Sequence, residues 1–500
     1  MKTFNAVQKT RIRYHKEPNV NPIHRSSLLV PEIDGAIAEI SFLNHFLLKR
    51  NYDKVACVIT PIGADGKKLD SRLHTIDQPK VYKFTLTGLT ESPVSNYMIE
   101  FFSADNLFIP FPAVMINHRN KDFLNQVHSF NRALNDIFED NEINKHTVKE
   151  ASIDLILNKN TDTCLLFTAG PMECNDFIDI EVIGKEQTFQ TKKKINLPRF
   201  GTQLISIRDT FKEIPDGFSG ILKASQPKQL LFYGRLLGGQ WNTEGQFSAN
   251  HSYYDFHTVE DYWKDTRPSQ SYYPFFSNLT NRVRIYPLSS PSELQIFVNP
   301  VLDDAHVLDE IFIGDLISPS NQFIDTTLNS LFSQSEIELS KISSYIVTAK
   351  VKNGKKPSRI SLQVVYGKGS LESSINMTLY NPGTFAPAGK KDFRWGQTVV
   401  NSGFDTLVGI TTAPIEEPKR KKYDCHVQFF DESGKIADRE WTINAGTAKK
   451  FFVSNELNLE MDDNSDPRYI WCVIEGDAGL SFNALTFNQK TKNCSGDHGF

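Results

Sequence analysis

A short phrase recurs four times along the chain, each time after a β-like stretch: Val127-His128-Ser129-Phe130, Asn250-His251-Ser252-Tyr253, Asn401-Ser402-Gly403-Phe404 and Asp497-His498-Gly499-Phe500. Between the aromatic residues the intervals are 123, 151 and 96 residues, each about the size of one small domain. Recurrence on that scale calls for repeated units, each closing its own core. A second set of matches points the same way. Cys57 to Gly66 and Cys425 to Gly434 run from an apolar strand pattern into a turn with the same separation, and both are followed by a second strand pattern (73–76 and 441–443) and a third (80–86 and 449–454). Ile195-Asn196-Leu197, Gly201-Thr202 and Leu204 to Ile207 parallel Trp441-Thr442-Ile443, Gly446-Thr447 and Phe451 to Val453. The third copy is poorly matched upstream of its phrase.

Strand signals dominate, at 36–42, 55–60, 97–102, 153–157, 177–183, 204–207, 283–286, 294–298, 345–351, 360–366, 427–430 and 469–474. They are short, rich in Val, Ile, Phe and Tyr, and bounded by Gly, Pro, Asn or Asp. Turn chemistry agrees at Ala64-Asp65-Gly66, Asn353-Gly354 and Glu432-Ser433-Gly434. The expected class is all-β: four tandem antiparallel β-sandwich modules of the Ig or fibronectin kind. Their expected bounds are 1–135, 149–258, 259–404 (an aromatic-rich linker plus the third sandwich) and 405–500. One segment departs from this pattern. Apolar residues at 123, 124, 127, 130, 134, 137 and 138 fall at helical spacing, so a helical connector is expected over about 119–148.

Charge narrows the partners. A net charge of −4 argues against a nucleic-acid surface, and the basic runs at 192–194 and 419–422 read as solvated turns between strands. No stretch approaches the eighteen uncharged apolar residues that a membrane-spanning helix needs, and residues 1–10 lack the apolar core of a signal peptide. A soluble, cytoplasmic protein is expected. Six widely spaced cysteines without a CxxC read as reduced and core-packed, a Cys472–Cys494 bridge being the alternative. Four Asn-x-Ser/Thr sequons, at Asn250, Asn278, Asn376 and Asn493, are then chance.

No phosphate-binding glycine loop, dinucleotide fingerprint, HExxH or GxSxG occurs. The acidic loop 462–466 alternates oxygens like a calcium loop, but Pro467 sits where such a loop needs glycine, so it reads as solvated. Two constellations remain. The stretch 253–276 interleaves aromatic rings with charge, and Tyr262, Trp263, Tyr272 and Tyr273 with Asp261 and Arg267 are the candidate ligand-binding residues. Aromatic rings stack on sugar faces while polar neighbours bind hydroxyls; packing between modules is the plainer use. Trp241, Trp395 and Trp471 read as buried anchors, with Arg394 placed to lay a cation over Trp395. The second constellation is His128, His251 and His498, which would hold a transition metal if they converged, with Asp497 orienting His498. The plainer reading is that each phrase seals the end of its own sandwich, which better accommodates Ser402 in place of the third histidine.

The expected function is a non-catalytic protein that binds or scaffolds, with a saccharide or another protein as partner, no nucleic acid, and no cofactor. A metal-dependent enzyme built on the three histidines and a self-assembling structural protein, oligomeric through its module edges, are the alternatives.

Overall fold

The structure, a computed structural model, describes residues 24–103, 113–133, 148–170, 172–225, 232–234, 236–256, 262–288, 290–357, 360–379, 391–413, 421–460 and 466–500. The chain divides into two compact units, Met1–Val259 and Glu260–Phe500. Among the described residues there are eight antiparallel sheets, six of four strands, one of five and one of six. All twelve expected strands overlap strands of the structure.

In the first module eight strands follow in order: His24–Pro31, Ile37–Leu43, Val55–Gly63, Arg72–Ile76, Val81–Thr85, Val94–Ser103, Met115–Arg119 and Leu124–His128. Numbered within the module, they form one sheet in the order 1-6-3-4 and a second in the order 5-2-7-8. The same two orders recur in strands spanning Val148–Leu157 to Phe247–His251, Ser269–Pro274 to Ser373–Leu379, and Asp392–Val400 to Cys494–His498. Between the two sheets lie alternate apolar residues. In the fourth module Val427, Phe429 and Ile470 from one sheet meet Val408, Ile410 and Phe482 from the other, the alternation a sandwich requires. The Ig-like expectation holds for the sandwich but not for the strand order, since an Ig domain keeps its first and second strands adjacent in one sheet and here they lie in different sheets.

Register fixes which residues correspond. Each fifth strand runs into a fully buried apolar residue: Leu86, Ile207, Leu328 and Val453. Counting back three residues and crossing the 5-2-7-8 sheet gives Lys83, Ser41, Met115 and His128 in the first module. The second gives Leu204, Leu166, Leu237 and His251. The fourth gives Lys450, Gly409, Asn483 and His498. The third gives Asp325, Arg284, Gln363 and Asn376. Asn376, and not any residue of the Asn401 phrase, therefore takes the histidine position in the third module.

That corrects the reading of the third phrase. Asn401 to Phe404 form the turn between the first and second strands of the fourth module, where the Asn401 side-chain oxygen accepts from the Gly403 and Phe404 N–H groups at 2.9 and 2.8 Å. Residues 392–400, expected in the third module, pair with Arg468–Gly476 and belong to the fourth. The other three phrases carry the chain off the eighth strand towards its module's first strand. Asn131–Ala133 and Tyr253–Phe256 pair there, and the Phe500 N–H donates to the Trp395 carbonyl at 2.9 Å. Phe130 is 3 % exposed. Phe500 stacks between Trp395 and Trp471, centroids 5.8 and 6.0 Å away.

Three further expectations change. The helical connector is absent from its described part: residues 124–128 and 131–133 are strands, and 134–147 lie outside the described residues. The eighth strand is buried on both faces, from Leu124 to His128, so neither polar alternation nor a true helical stripe exists to be read. The basic run 192–194 lies in Thr188–Leu197, an edge strand of its sheet, where lysines discourage further pairing. All six cysteines are buried and none is in a disulfide. Cys472 faces the fourth module's core and Cys494 packs into the third's, so no bridge forms between them. The acidic loop lies outside the described residues apart from Asp466, and no helix among the described residues is long and apolar enough to cross a membrane.

Within each unit the two modules meet in the same two ways. Asn96, opposite Pro31, donates to the Phe200 carbonyl and the Thr202 hydroxyl at 2.5 and 2.6 Å. Ser344, opposite Pro274, donates to the Gly446 carbonyl. The eighth strands also lie side by side. The Ala249 N–H donates to Asn125 Oδ1 at 2.7 Å in the first unit, and the Leu371 N–H donates to Asn493 Oδ1 at 3.0 Å in the second.

Candidate functional site

The aromatic stretch is split between two tasks. On the strand Ser269–Pro274 successive side chains point to opposite faces, so Tyr273 enters the core with no exposed surface while Tyr272 stays half-buried on the other side. Tyr262 and Trp263 are half-buried and attach to residues 355–357. Tyr262 bridges to Pro357, the Trp263 N–H donates to the Lys356 carbonyl at 3.0 Å, and Lys355 Nζ lies 5.2 Å from the Tyr262 ring centre. Arg267 is clasped by Asp265 at 2.6 Å, and the guanidinium holds that carboxyl well below the usual range. Lys356 Nζ donates to the Arg267 carbonyl at 2.8 Å. Asp261 lies outside the described residues.

Tyr272 opens onto a cleft of about 100 Å³ within the second unit, lined also by Ser271, Ser481, Arg394, His498 and Phe482. At roughly 30 Å³ per water, that volume suits one functional group or the edge of a ring. Burial pushes the Tyr272 phenol up to about 12, so it is a neutral hydroxyl. Arg394 is held by Asp392 at 3.2 Å. The Ser271 hydroxyl donates to the Thr378 carbonyl at 3.1 Å. Of the lining residues, sequence reasoning found Tyr272, Tyr273 and His498 and noticed Arg394 only as a neighbour of Trp395. Ser271 and Ser481 carry no local signal, because what selects them is the alternation of strands from two modules.

His128 and His251 belong to the first unit and His498 to the second. In the first unit His128 and His251 end the adjacent eighth strands, 7 % and 3 % exposed, with ring centroids 4.3 Å apart and planes at 71°. Ring nitrogens of the two lie within 4.8 Å of each other. His251 Nδ1 lies 3.0 Å from the Ser252 carbonyl. A carbonyl only accepts, so Nδ1 carries the proton and Nε2 is the basic nitrogen. His498, in the second unit, is fixed likewise by the Gly499 carbonyl at 2.8 Å, and its neighbour Asp497 uses a carboxylate oxygen to accept the His498 N–H at 2.8 Å.

No family model matches the chain, and no curated protein is similar to it. Among solved structures, similarity is found to the crystal structure of a Bacteroides uniformis beta-glucuronidase, with 10 % identity over 48 % of this chain and a TM-score of 0.15. The matched part spans 26 % of that chain, and so slight a likeness bears on neither fold nor chemistry.

Proposed function

We propose that this is a non-catalytic binding protein whose second unit seats a hydroxyl-bearing group, such as the edge of a saccharide, in the Tyr272 cleft. The observation that carries this reading is the lining itself. A half-buried tyrosine, two serines and an arginine line it beside the apolar Phe482 and Leu480, the mixture of flat apolar surface and polar groups that polyhydroxylated ligands need. Tyr262 and Trp263, which pack on residues 355–357, lie earlier in the same aromatic segment. Six buried, unbridged thiols support a reducing, cytoplasmic setting.

Glycan-array screening of the full chain, followed by titration of the strongest hit, tests the reading. Tyr272→Ala and Arg394→Ala are each expected to weaken binding at least tenfold, with Tyr262→Ala and Trp263→Ala costing less. Undiminished binding by the Tyr272 and Arg394 variants, or silence across the array, overturns the assignment of this cleft to saccharide.

A further inference from the structure

We propose that the first unit binds a late first-row divalent metal ion through His128 and His251. Three observations carry it. The two rings come from modules whose sequence separation would ordinarily hold them far apart, and the parallel run of the eighth strands, tied through Asn125 and Ala249, brings their centroids to 4.3 Å. The 71° interplanar angle is edge to face, so the two rings are not stacked flat on one another. Two nitrogens on one tetrahedral ion stand roughly 3.3 Å apart, from metal–nitrogen bonds of about 2.0–2.1 Å, and ring nitrogens of this pair lie within 4.8 Å of each other. The Ser252 carbonyl fixes His251 as the tautomer that presents Nε2, the outer support that ligating imidazoles usually have.

Imidazole nitrogen selects for zinc, copper and nickel over magnesium and calcium. Binding requires both rings neutral, so protons compete with the ion. No redox or hydrolytic step is assigned to the ion.

The test uses untagged full-length protein. Isothermal titration with Ni²⁺ and Zn²⁺ is expected to show one ion per chain, and each of His128→Gln and His251→Gln to weaken it at least tenfold while circular dichroism stays that of the parent. Gln keeps the volume and a polar end but is a poor ligand, which limits loss of folding. Should both variants misfold, Cu²⁺ electron paramagnetic resonance on the parent decides: nitrogen hyperfine structure supports the site, and an all-oxygen signal overturns it. Absence of stoichiometric binding, or full binding by the double Gln variant, also overturns it.

Discussion

The first and second units repeat one construction, two sandwiches joined through a sixth-strand side chain and a shared eighth-strand seam, and they differ where that construction is filled with polar side chains. At one register position the first unit has Ser41 and the second has Arg284. At another, His118 Nε2 donates to the Pro31 carbonyl at 2.8 Å, whereas its register equivalent Tyr366 donates its hydroxyl to the Pro274 carbonyl at 2.9 Å. At the seam the first unit pairs His128 with His251, and the second has Asn376 and His498 in those places. The backbone plan survives these exchanges because main-chain pairing and the apolar layer set it. The polar positions then diverge in charge, titration and ligand chemistry.

The largest effect is expected at Arg284, which is fully buried and paired with Asp325 at 2.6 Å. Arg284→Ala leaves Asp325 with Arg282 at 3.8 Å in place of its nearer partner, so it should cost about 3 kcal/mol, while Ser41→Ala should cost about 1 kcal/mol. Denaturant unfolding of both variants measures the contrast. Equal costs would mean that the second unit does not depend on its arginine.

The His118 and Tyr366 exchange separates the units by pH. Burial lowers the His118 pKa from 6.5 to about 4, so between those values the unfolded chain binds the extra proton and the folded chain does not. The stabilisation from excluding that proton is complete above pH 6.5 and is lost as pH falls towards 4, a change of about 3 kcal/mol. Burial pushes Tyr366 upwards, away from this window. Hydrogen exchange followed by mass spectrometry at pH 7 and pH 4.5 should show the first unit loosening before the second. His118→Tyr should reduce the difference, leaving the part due to His45, whose pKa burial also lowers to about 4, and an unchanged acid response in that variant would assign the loosening elsewhere.

At the junctions, Asn96 makes two hydrogen bonds to the next module and Ser344 makes one to its counterpart loop. Asn96→Ala is expected to cost about 2 kcal/mol and Ser344→Ala about 1 kcal/mol, read from thermal unfolding. A larger loss at Ser344 would reverse the ranking of the two junctions.

Much of this plan was legible before any coordinates. Cys57 to Gly66 and Cys425 to Gly434 run from the third strand into the turn that follows it, and the segments aligned after them lie on fourth and fifth strands in both modules, because a hairpin with a tight glycine turn leaves a local signature. Gly66 and Gly434 both take positive φ, at 78° and 119°, which is why glycine recurs there. The histidine phrase was legible in three modules because it performs one job, leaving the eighth strand for the first. It misled in the third copy because Asn-Ser-Gly-Phe is also good turn chemistry, while the true equivalent, Asn376, keeps no phrase around it. What the sequence hid is long-range. The nearness of His128 and His251, and the lining of the Tyr272 cleft, depend on how two modules of a unit pack, and no local periodicity encodes that.

The smallest stability effect, and the most pointed test of the comparison, is expected from Asn376→His. Asn376 is 4 % exposed and accepts the Tyr286 hydroxyl at 3.0 Å through Oδ1. A histidine tautomer with a lone pair facing Tyr286 keeps an acceptor there, so the cost should stay near 1 kcal/mol or below. The variant gives the second unit a histidine at both seam positions, as in the first. If the seam is the same construction in both, metal titration should rise from one equivalent to two, with the added ion bound more weakly because Tyr286 competes for the new ring. A variant that folds, as judged by its thermal transition, yet takes no second ion would show that the units share strand order and register without sharing the ring-to-ring geometry at the seam.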